Sequence, residues 1–179
     1  PGSCGVPAPG VEIQLIDEKG DVINEPNTPG ELYARSSALF KTYYKSHDRY
    51  LEDHRDGYQT VGDIAYVDEE GYFFICDRKK DMIISGGVNV YPAEIENVLD
   101  EYPLVEEVAV IGVPDDEWGE VVCALVVAES EFPTDDLLIF ARSHLSGAKV
   151  PKHVFFIDDL PKTGSGKILK RDLREYVKA

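Results

Sequence analysis

The chain has 179 residues, 43% of them hydrophobic and 29% charged, which is the balance of an ordinary globular protein of one or two domains. Its formal net charge of −16 disfavours nucleic acid and an anionic membrane as partners of the whole surface. No apolar run approaches transmembrane length, and we expect no signal peptide. Three cysteines without paired spacing and four histidines without metal-ligand spacing predict a reducing, cytoplasmic setting, no disulfide framework and no metal site.

The first part of the chain, to about residue 77, is predicted to be β structure. Short apolar runs between Gly, Pro and Asp turns predict four strands, of which the last two form a hairpin: residues 11–16, 31–35, 64–67 and 72–76. The polar residues 45–57 predict a surface loop or a short helix.

Beyond residue 77 helices alternate with strands. Pro92 predicts the start of a helix whose buried face carries apolar residues at helical spacing: Ile95, Val98, Leu99 and Tyr102. A second helix, capped by Thr134, is predicted to run to His144, and a terminal helix covers residues 171–178. Apolar runs predict the strands of this part: residues 82–85, 105–113, 121–128 and 154–157.

This pattern predicts an α+β fold of two parts. Residues 1–77 form a β-rich subdomain, and residues 82–179 form a small mobile C-terminal domain in which helices pack on a three-stranded sheet. The charged residues 78–81 between two apolar strands predict a solvated hinge.

The run PKTGSGK, residues 161–167, places Lys167 at the tip of a flexible, glycine-bearing loop. It is not a P-loop, because that motif needs Gly where Pro161 stands and Ser or Thr where Ile168 stands. From Lys149 onward, eight Lys and Arg residues face four acids. This local excess of positive charge on an acidic protein indicates an anionic small molecule, although a basic surface helix would give the same pattern.

A second motif, DRKKDMIISGGVNVYPAEIE, fills residues 77–96. It resembles the adenylate-forming superfamily, which contains acyl-CoA synthetases, peptide-synthetase adenylation domains and firefly-type luciferases, and it looks most like the fatty-acyl-CoA synthetase branch. Three further blocks are similar to the superfamily's G-E-L-x-x-R, T-G-D and closing P-x-T-x-x-G-K motifs: residues 30–35, 58–63 and 161–167. Val61 stands where many members have Thr.

The resemblance implies an acid–thiol ligase that uses ATP, Mg²⁺ and CoA. A fatty or other hydrophobic carboxylic acid attacks the α-phosphate of ATP, and a thiol then displaces AMP from the acyl-adenylate. By resemblance, Lys167 is the catalytic cation between acyl carboxylate and phosphate, Asp63 binds the ribose hydroxyls, and Arg78 reaches the ribose or phosphate.

The same resemblance assigns the hinge and the acceptor site. Lys80 is the hinge residue about which the C-terminal domain would rotate between half-reactions. Gly86 and Gly87 would line the pantetheine tunnel, where Asn89 would lie near CoA phosphates. The pair Trp118-Gly119 is interpreted as packing.

The superfamily's phosphate loop and acyl pocket should precede these residues in a large N-terminal domain that this sequence does not contain. We therefore expect a C-terminal portion that is inactive alone. Two alternatives stay open: an adenylation domain that loads a carrier protein, and a non-catalytic binding module. A plain surface turn at Lys167, a turn aspartate at Asp63 and a tight turn at Gly86 and Gly87 are the structural alternatives.

Overall fold

The structure, a computed structural model, describes residues 2–178. For Lys178 it describes the backbone only. The chain divides into two compact units, the first ending at Lys80 and the second beginning at Asp81. In the described residues, no helix is both long and apolar enough to cross a membrane.

The first unit is built on one antiparallel sheet. Its elements follow the chain as β1 (Glu12–Ile16), β2 (Gly30–Arg35), α1 (His47–Glu52), β3 (His54–Arg55), β4 (Tyr58–Val67) and β5 (Phe73–Arg78). The strand order is β1-β2-β4-β3, and β5 also pairs with β4. The ten-residue β4 is therefore the strand on which the unit is organised, and it carries the whole of the T-G-D block.

The second unit alternates helices and strands. Its elements are β6 (Ile83–Ser85), β7 (Val88–Val90), α2 (Pro92–Asp100), β8 (Glu107–Asp115), β9 (Gly119–Val127), α3 (Thr134–His144), β10 (His153–Phe156) and α4 (Lys170–Lys178). The order is β10-β9-β6-β7, with β8 on the other side of β9 and β10 parallel to β9.

The α+β fold class is confirmed, but the predicted three-stranded sheet is wrong, because the described residues of this sheet form five strands. Gly86 and Gly87 have φ of +57° and +79°, a conformation that glycine adopts without strain, and they turn β6 back onto β7. The pairing of Ser85 with Gly119 then joins this hairpin to β9.

The core of the second unit lies on both faces of the sheet. Alternate residues of β8 and β9 pack with α2 and α3 on one face, and the residues between them pack with Leu160 and Leu173 on the other. Because both faces are covered, the two strands appear in the sequence as continuous apolar runs.

The three long helices begin close to where the sequence predicts them. Pro92 is the first residue of α2, whereas α4 begins at Lys170, one residue before the prediction. The predicted cap at Thr134 is wrong: Pro133 takes the N-cap position, and no side chain caps the helix. Thr134 is instead the first helical residue, so its hydroxyl is no longer placed for a cap bond to the next turn.

Candidate functional site

The two residues predicted to contact a nucleotide face each other across neighbouring strands. Asp63 of β4 and Arg78 of β5 are register partners, and Arg78 Nε lies 2.9 Å from Asp63 Oδ1. Arg78 Nη1 also donates a hydrogen bond of 3.2 Å to the carbonyl oxygen of Val61. The side chain of Asp63 is 23% exposed and that of Arg78 is 49% exposed, so a ligand can reach both. The pair offers an acceptor and a fixed cation side by side, a combination that suits hydroxyl and phosphate groups.

A β-bulge decides which residue faces Asp63. The pairing of β4 with β5 slips by one residue just before Ala65, and Cys76 becomes the extra residue of β5. If the register at Ala65 continued without the bulge, Asp77 would stand opposite Asp63. The bulge brings Arg78 there instead, and a repulsive arrangement becomes an ion pair.

Two of the recognised blocks meet at Glu31. The Thr60 hydroxyl donates to Glu31 Oε1 at 3.2 Å and accepts a bond of 3.0 Å from the backbone N–H of Gly62. Lys79 Nζ donates to Glu31 Oε2 at 2.8 Å, and this bond raises the pKa of Lys79. Sequence reasoning gave no role to Glu31 or Lys79, although the place of Glu31 within the G-E-L-x-x-R block was an available signal.

A cleft of about 510 Å³ opens beside this cluster. Eight residues line it, of which four are cationic and two are acidic. They are Glu31, Arg49, Asp53, Val61, Gly62, Arg78, Lys79 and Lys80. Lys79 is paired with Glu31, and Arg49 lies 3.8 Å from Asp53, so charge is balanced on that part of the lining. Arg78 is paired with Asp63, and Lys80 adds positive charge at the end of the unit, which favours an anionic ligand.

In the second unit, Lys167 lies on a hydrogen-bonded hairpin. The carbonyl oxygen of Pro161 accepts from Leu169 N at 2.8 Å, and that of Lys167 accepts from Thr163 N at 2.8 Å. The Thr163 hydroxyl accepts from Lys167 N at 3.2 Å. Gly166, with φ of +83°, completes the turn by donating to the Thr163 carbonyl oxygen at 2.9 Å. Lys167 is an exposed residue, so its ammonium group is accessible.

The expectation that Lys167 lies at the tip of its loop is therefore wrong. Residues 164–166 form the tip, and Lys167 is the first residue of the returning arm. The reason is the Thr163 side chain, which bonds the Lys167 backbone and also lies 2.9 Å from the Ser165 hydroxyl. Such local bonds from a Thr side chain hold a turn in one conformation.

Ion pairs also hold the hairpin on both sides. Lys162 Nζ lies 2.7 Å from Glu107 Oε1 of β8, a bond that raises the pKa of Lys162. Just beyond the other arm, at the first residue of α4, Lys170 Nζ lies 2.8 Å from Glu96 Oε1 of α2. The hairpin that carries Lys167 is thus tied to a strand and to a helix of its own unit.

The residues predicted to contact the acceptor lie together on the hairpin of β6 and β7. Gly87 has nothing within 4 Å of the position where a side chain would begin, so the space above it is open. A side chain on Gly86 would come within 2.6 Å of the Trp118 ring, and Gly86 N donates to the Trp118 carbonyl oxygen at 2.9 Å. Asn89, half-buried in β7, is the register partner of Ile84.

Trp118 does more than the packing that the sequence predicted. Its side chain packs on Gly86 but remains 43% exposed, and Lys152 Nζ lies 5.1 Å from the centre of its ring. Asp115 Oδ1 accepts from Trp118 N at 2.9 Å, and this backbone bond is the main reason for the lowered pKa of Asp115. An exposed aromatic face with a cation beside it can stack on a planar ring and neutralise a phosphate.

The site residues thus fall into three groups. Asp63 and Arg78 form one ion pair in the first unit, and Lys80 is the last residue of that unit. Gly86, Gly87 and Asn89 share one hairpin of the second unit, and Lys167 lies on another. Within the part of the chain that the structure describes, no group of three or more His, Cys, Asp or Glu side chains could hold a metal ion.

The chain is similar to known proteins along nearly its whole length. Residues 94–167 match the family described as the AMP-binding enzyme C-terminal domain. A feruloyl-CoA synthase from Amycolatopsis is 49% identical over 97% of the chain and 35% of its own length. A long-chain-fatty-acid–CoA ligase from Escherichia coli O157:H7 is 45% identical over 97% of the chain and 31% of its own length. The crystal structure of ATP-bound MatB from Rhodopseudomonas palustris has a TM-score of 0.90 at 38% identity, over 99% of the chain and 36% of that structure's chain.

The chain belongs to the adenylate-forming superfamily and carries its AMP-binding C-terminal domain. The two named relatives that it matches over 97% of its residues are a CoA synthase and a CoA ligase. It spans about a third of the length of those relatives.

Proposed function

We propose that this chain works as the C-terminal part of a longer ATP-dependent acid–thiol ligase, which activates a carboxylic acid as an acyl-adenylate and transfers the acyl group to CoA. The observation that carries the proposal is the accessible Lys167, held on a hydrogen-bonded hairpin within the AMP-binding C-terminal domain. The names of the relatives, which are CoA synthases and CoA ligases, support the choice of acceptor.

In the first half-reaction, a carboxylate oxygen of the acid forms a bond to the α-phosphorus of ATP and pyrophosphate leaves. Negative charge grows on the phosphate oxygens as this bond forms, and a fixed cation lowers the barrier. Lys167 would supply that cation. Asp63 would accept hydrogen bonds from the ribose hydroxyls, and Arg78, which already bonds Asp63, would hold the carboxylate in place.

In the second half-reaction, the thiol sulfur attacks the acyl carbon and AMP leaves. The open space above Gly87 supports its role as a wall of the pantetheine tunnel, because a narrow thiol arm could approach the backbone there. The exposed Trp118 ring, with Lys152 beside it, would bind the nucleotide end of CoA near Asn89. Lys80, at the end of the first unit, would be the hinge between the half-reactions.

The acid is proposed to be hydrophobic, either fatty or aromatic. The names of the relatives cover a feruloyl and a long-chain fatty acyl group, so the acid of this ligase has to be found by assay. Mg²⁺ would accompany ATP, and the proposal assigns it to no residue of this chain. Three free cysteines fit a reducing cytoplasm.

The test is ATP–pyrophosphate exchange with a panel of fatty and aromatic acids, run on this chain and on the full-length protein. We expect exchange in the full-length protein only, and a loss of about 100- to 1000-fold in its Lys167→Ala variant. Exchange by this chain alone would contradict the proposal that it needs the rest of a longer ligase for activity. Full activity of Lys167→Ala would favour a non-catalytic binding module, and acyl transfer to a carrier protein but not to CoA would favour the carrier-loading alternative.

A further inference from the structure

The ion pair between Glu96 and Lys170 ties three elements of the second unit together. Glu96 Oε1 lies 2.8 Å from Lys170 Nζ and also accepts a hydrogen bond of 2.8 Å from the backbone N–H of Val110. The pair therefore connects α2, α4 and β8. Only 13% of the Lys170 side chain and 21% of the Glu96 side chain are exposed. A pair so far withdrawn from water is expensive to break, because a charge is then left without its partner.

The bond from Glu96 to Val110 has a clear structural reason. In the described sheet, β8 pairs with β9 alone, so the opposite edge of β8 needs other partners for its backbone groups. Glu96 of α2 is one such partner, because its carboxylate accepts the hydrogen bond from Val110 N. The same carboxylate also pairs with Lys170. The carboxylate is thus fixed by the sheet, and Lys170 is fixed by the carboxylate.

Lys170 stands at the point where the Lys167 hairpin ends. It is the first residue of α4, and Leu169 before it closes the hairpin through its bond to Pro161. Ile168 packs against the buried cluster that contains Leu173. The hairpin can therefore change its direction only if this end of it moves, and the Glu96–Lys170 pair opposes that movement.

We propose that Glu96 and Lys170 are positioning residues for Lys167 in the adenylation step, an inference that rests on the proposed function. The ammonium group of Lys167 must meet the reacting phosphate with the right geometry, and a misplacement of about 1 Å can cost on the order of 100-fold in rate. Neither Glu96 nor Lys170 needs to touch the substrate. Their effect passes through the returning arm of the hairpin.

The second unit offers a matched control on the same helix. Lys149 Nζ lies 2.7 Å from Glu94 Oε1 of α2, and Lys149 belongs to the turn after α3 rather than to the hairpin. Lys149→Met and Lys170→Met therefore each remove one ion pair to α2. Lys170→Arg keeps the charge, and Glu96→Gln keeps an oxygen for the N–H of Val110 while it weakens the pair with Lys170.

The experiment uses the full-length protein and measures kcat and KM for ATP in ATP–pyrophosphate exchange, well below the unfolding midpoint of each variant. We expect Lys170→Met to lower kcat by about 10- to 100-fold, with KM for ATP changed by less than about 3-fold. Glu96→Gln should lower kcat in the same direction. Lys170→Arg should recover most of the activity, and Lys149→Met should stay within about 2-fold of the parent.

A double variant tests whether Lys170 acts through Lys167. If it does, Lys170→Met should add little further loss once Lys167 has been replaced by Ala, since residues that act as a unit are not additive. A full additional loss in that background would overturn the inference, as would equal effects of Lys170→Met and Lys149→Met. An inert Lys167→Ala variant would instead overturn the proposed function itself, so the two failures are distinguishable.

Discussion

The ion pair of Asp63 with Arg78 and the hairpin of Lys167 are held in place in different ways. Asp63 lies inside the ten-residue β4 and Arg78 is the last residue of β5, and the ladder of backbone bonds between the two strands sets their separation. Lys167 lies outside the sheets, and its position depends on the Thr163 side chain and on ion pairs such as that of Lys170.

This difference indicates how each group responds to change. A ladder of backbone bonds depends little on the side chains around it, so point substitutions at neighbouring residues that leave the register unchanged should disturb that pair little. A hairpin held by side chains should be sensitive to several residues, none of which has to meet the substrate. The arrangement suits a rigid Asp63–Arg78 pair that would receive the nucleotide and a Lys167 hairpin whose position is set by other side chains for the reaction.

The largest effect that separates the two groups is expected from Asp63→Ala in the full-length protein. Loss of hydrogen bonds to a charged acceptor costs about 1.5–3 kcal/mol each, so KM for ATP should rise by about 10- to 100-fold. Steady-state exchange kinetics measure this. Asp68→Ala is the control on the same hairpin: Asp68 bonds the backbone N–H of Tyr72 in the turn, and its loss should reduce stability but leave KM for ATP unchanged. Equal rises of KM in the two variants would remove Asp63 from the nucleotide site.

A smaller effect, confined to the second half-reaction, is expected from Gly87→Leu. The new side chain would fill the open space that the thiol arm is proposed to use, so transfer to CoA should slow by about 10-fold or more while ATP–pyrophosphate exchange stays within about 3-fold. Gly71→Leu is the matched control, because Gly71 has φ of +86° and nothing within 4 Å of the new side chain's first atom. If the control slows transfer as much, backbone strain rather than blockage explains the result.

The smallest effect is expected from Thr163→Val, which removes the hydroxyl that bonds Lys167 N. A net contribution of about 0.5–1.5 kcal/mol per hydrogen bond corresponds to a fall in kcat of about 2- to 12-fold in the exchange reaction. Thr134→Val, which removes a hydroxyl without a helix-capping bond, should change kcat little. An unchanged kcat in Thr163→Val would mean that the hairpin does not depend on this side chain, and the contrast with Asp63 would then fail.

Much of the fold was predictable because its strands and helices have clear periods. Pro92 marked the start of α2, and the apolar runs of β8 and β9 gave two long strands to within two residues at each end. The strand β7 was missed because it has only three residues, too few to show a period. Its existence depends on the conformation of Gly86 and Gly87, which a sequence pattern does not display.

The sequence proposes residues for the candidate site but not their contacts. The motifs that resemble the superfamily picked out Asp63, Arg78 and Lys167, yet a motif carries no register and no side-chain bonds. The partner of Asp63 depends on a bulge, and the position of Lys167 depends on where one hydroxyl of Thr163 points. Sequence reasoning assigned Lys170 no role of its own, because a lysine in a basic stretch is ordinarily a solvated surface residue.

The bulge at Cys76 determines how β4 and β5 align at the candidate site. Asp63 and Arg78 meet only because β5 carries one residue more than β4 requires. If β5 paired with β4 without the bulge at its present length, every motif would stay recognisable, yet Asp77 would face Asp63 and repulsion would replace attraction. The one-residue bulge is therefore as much a part of the site as the two side chains are.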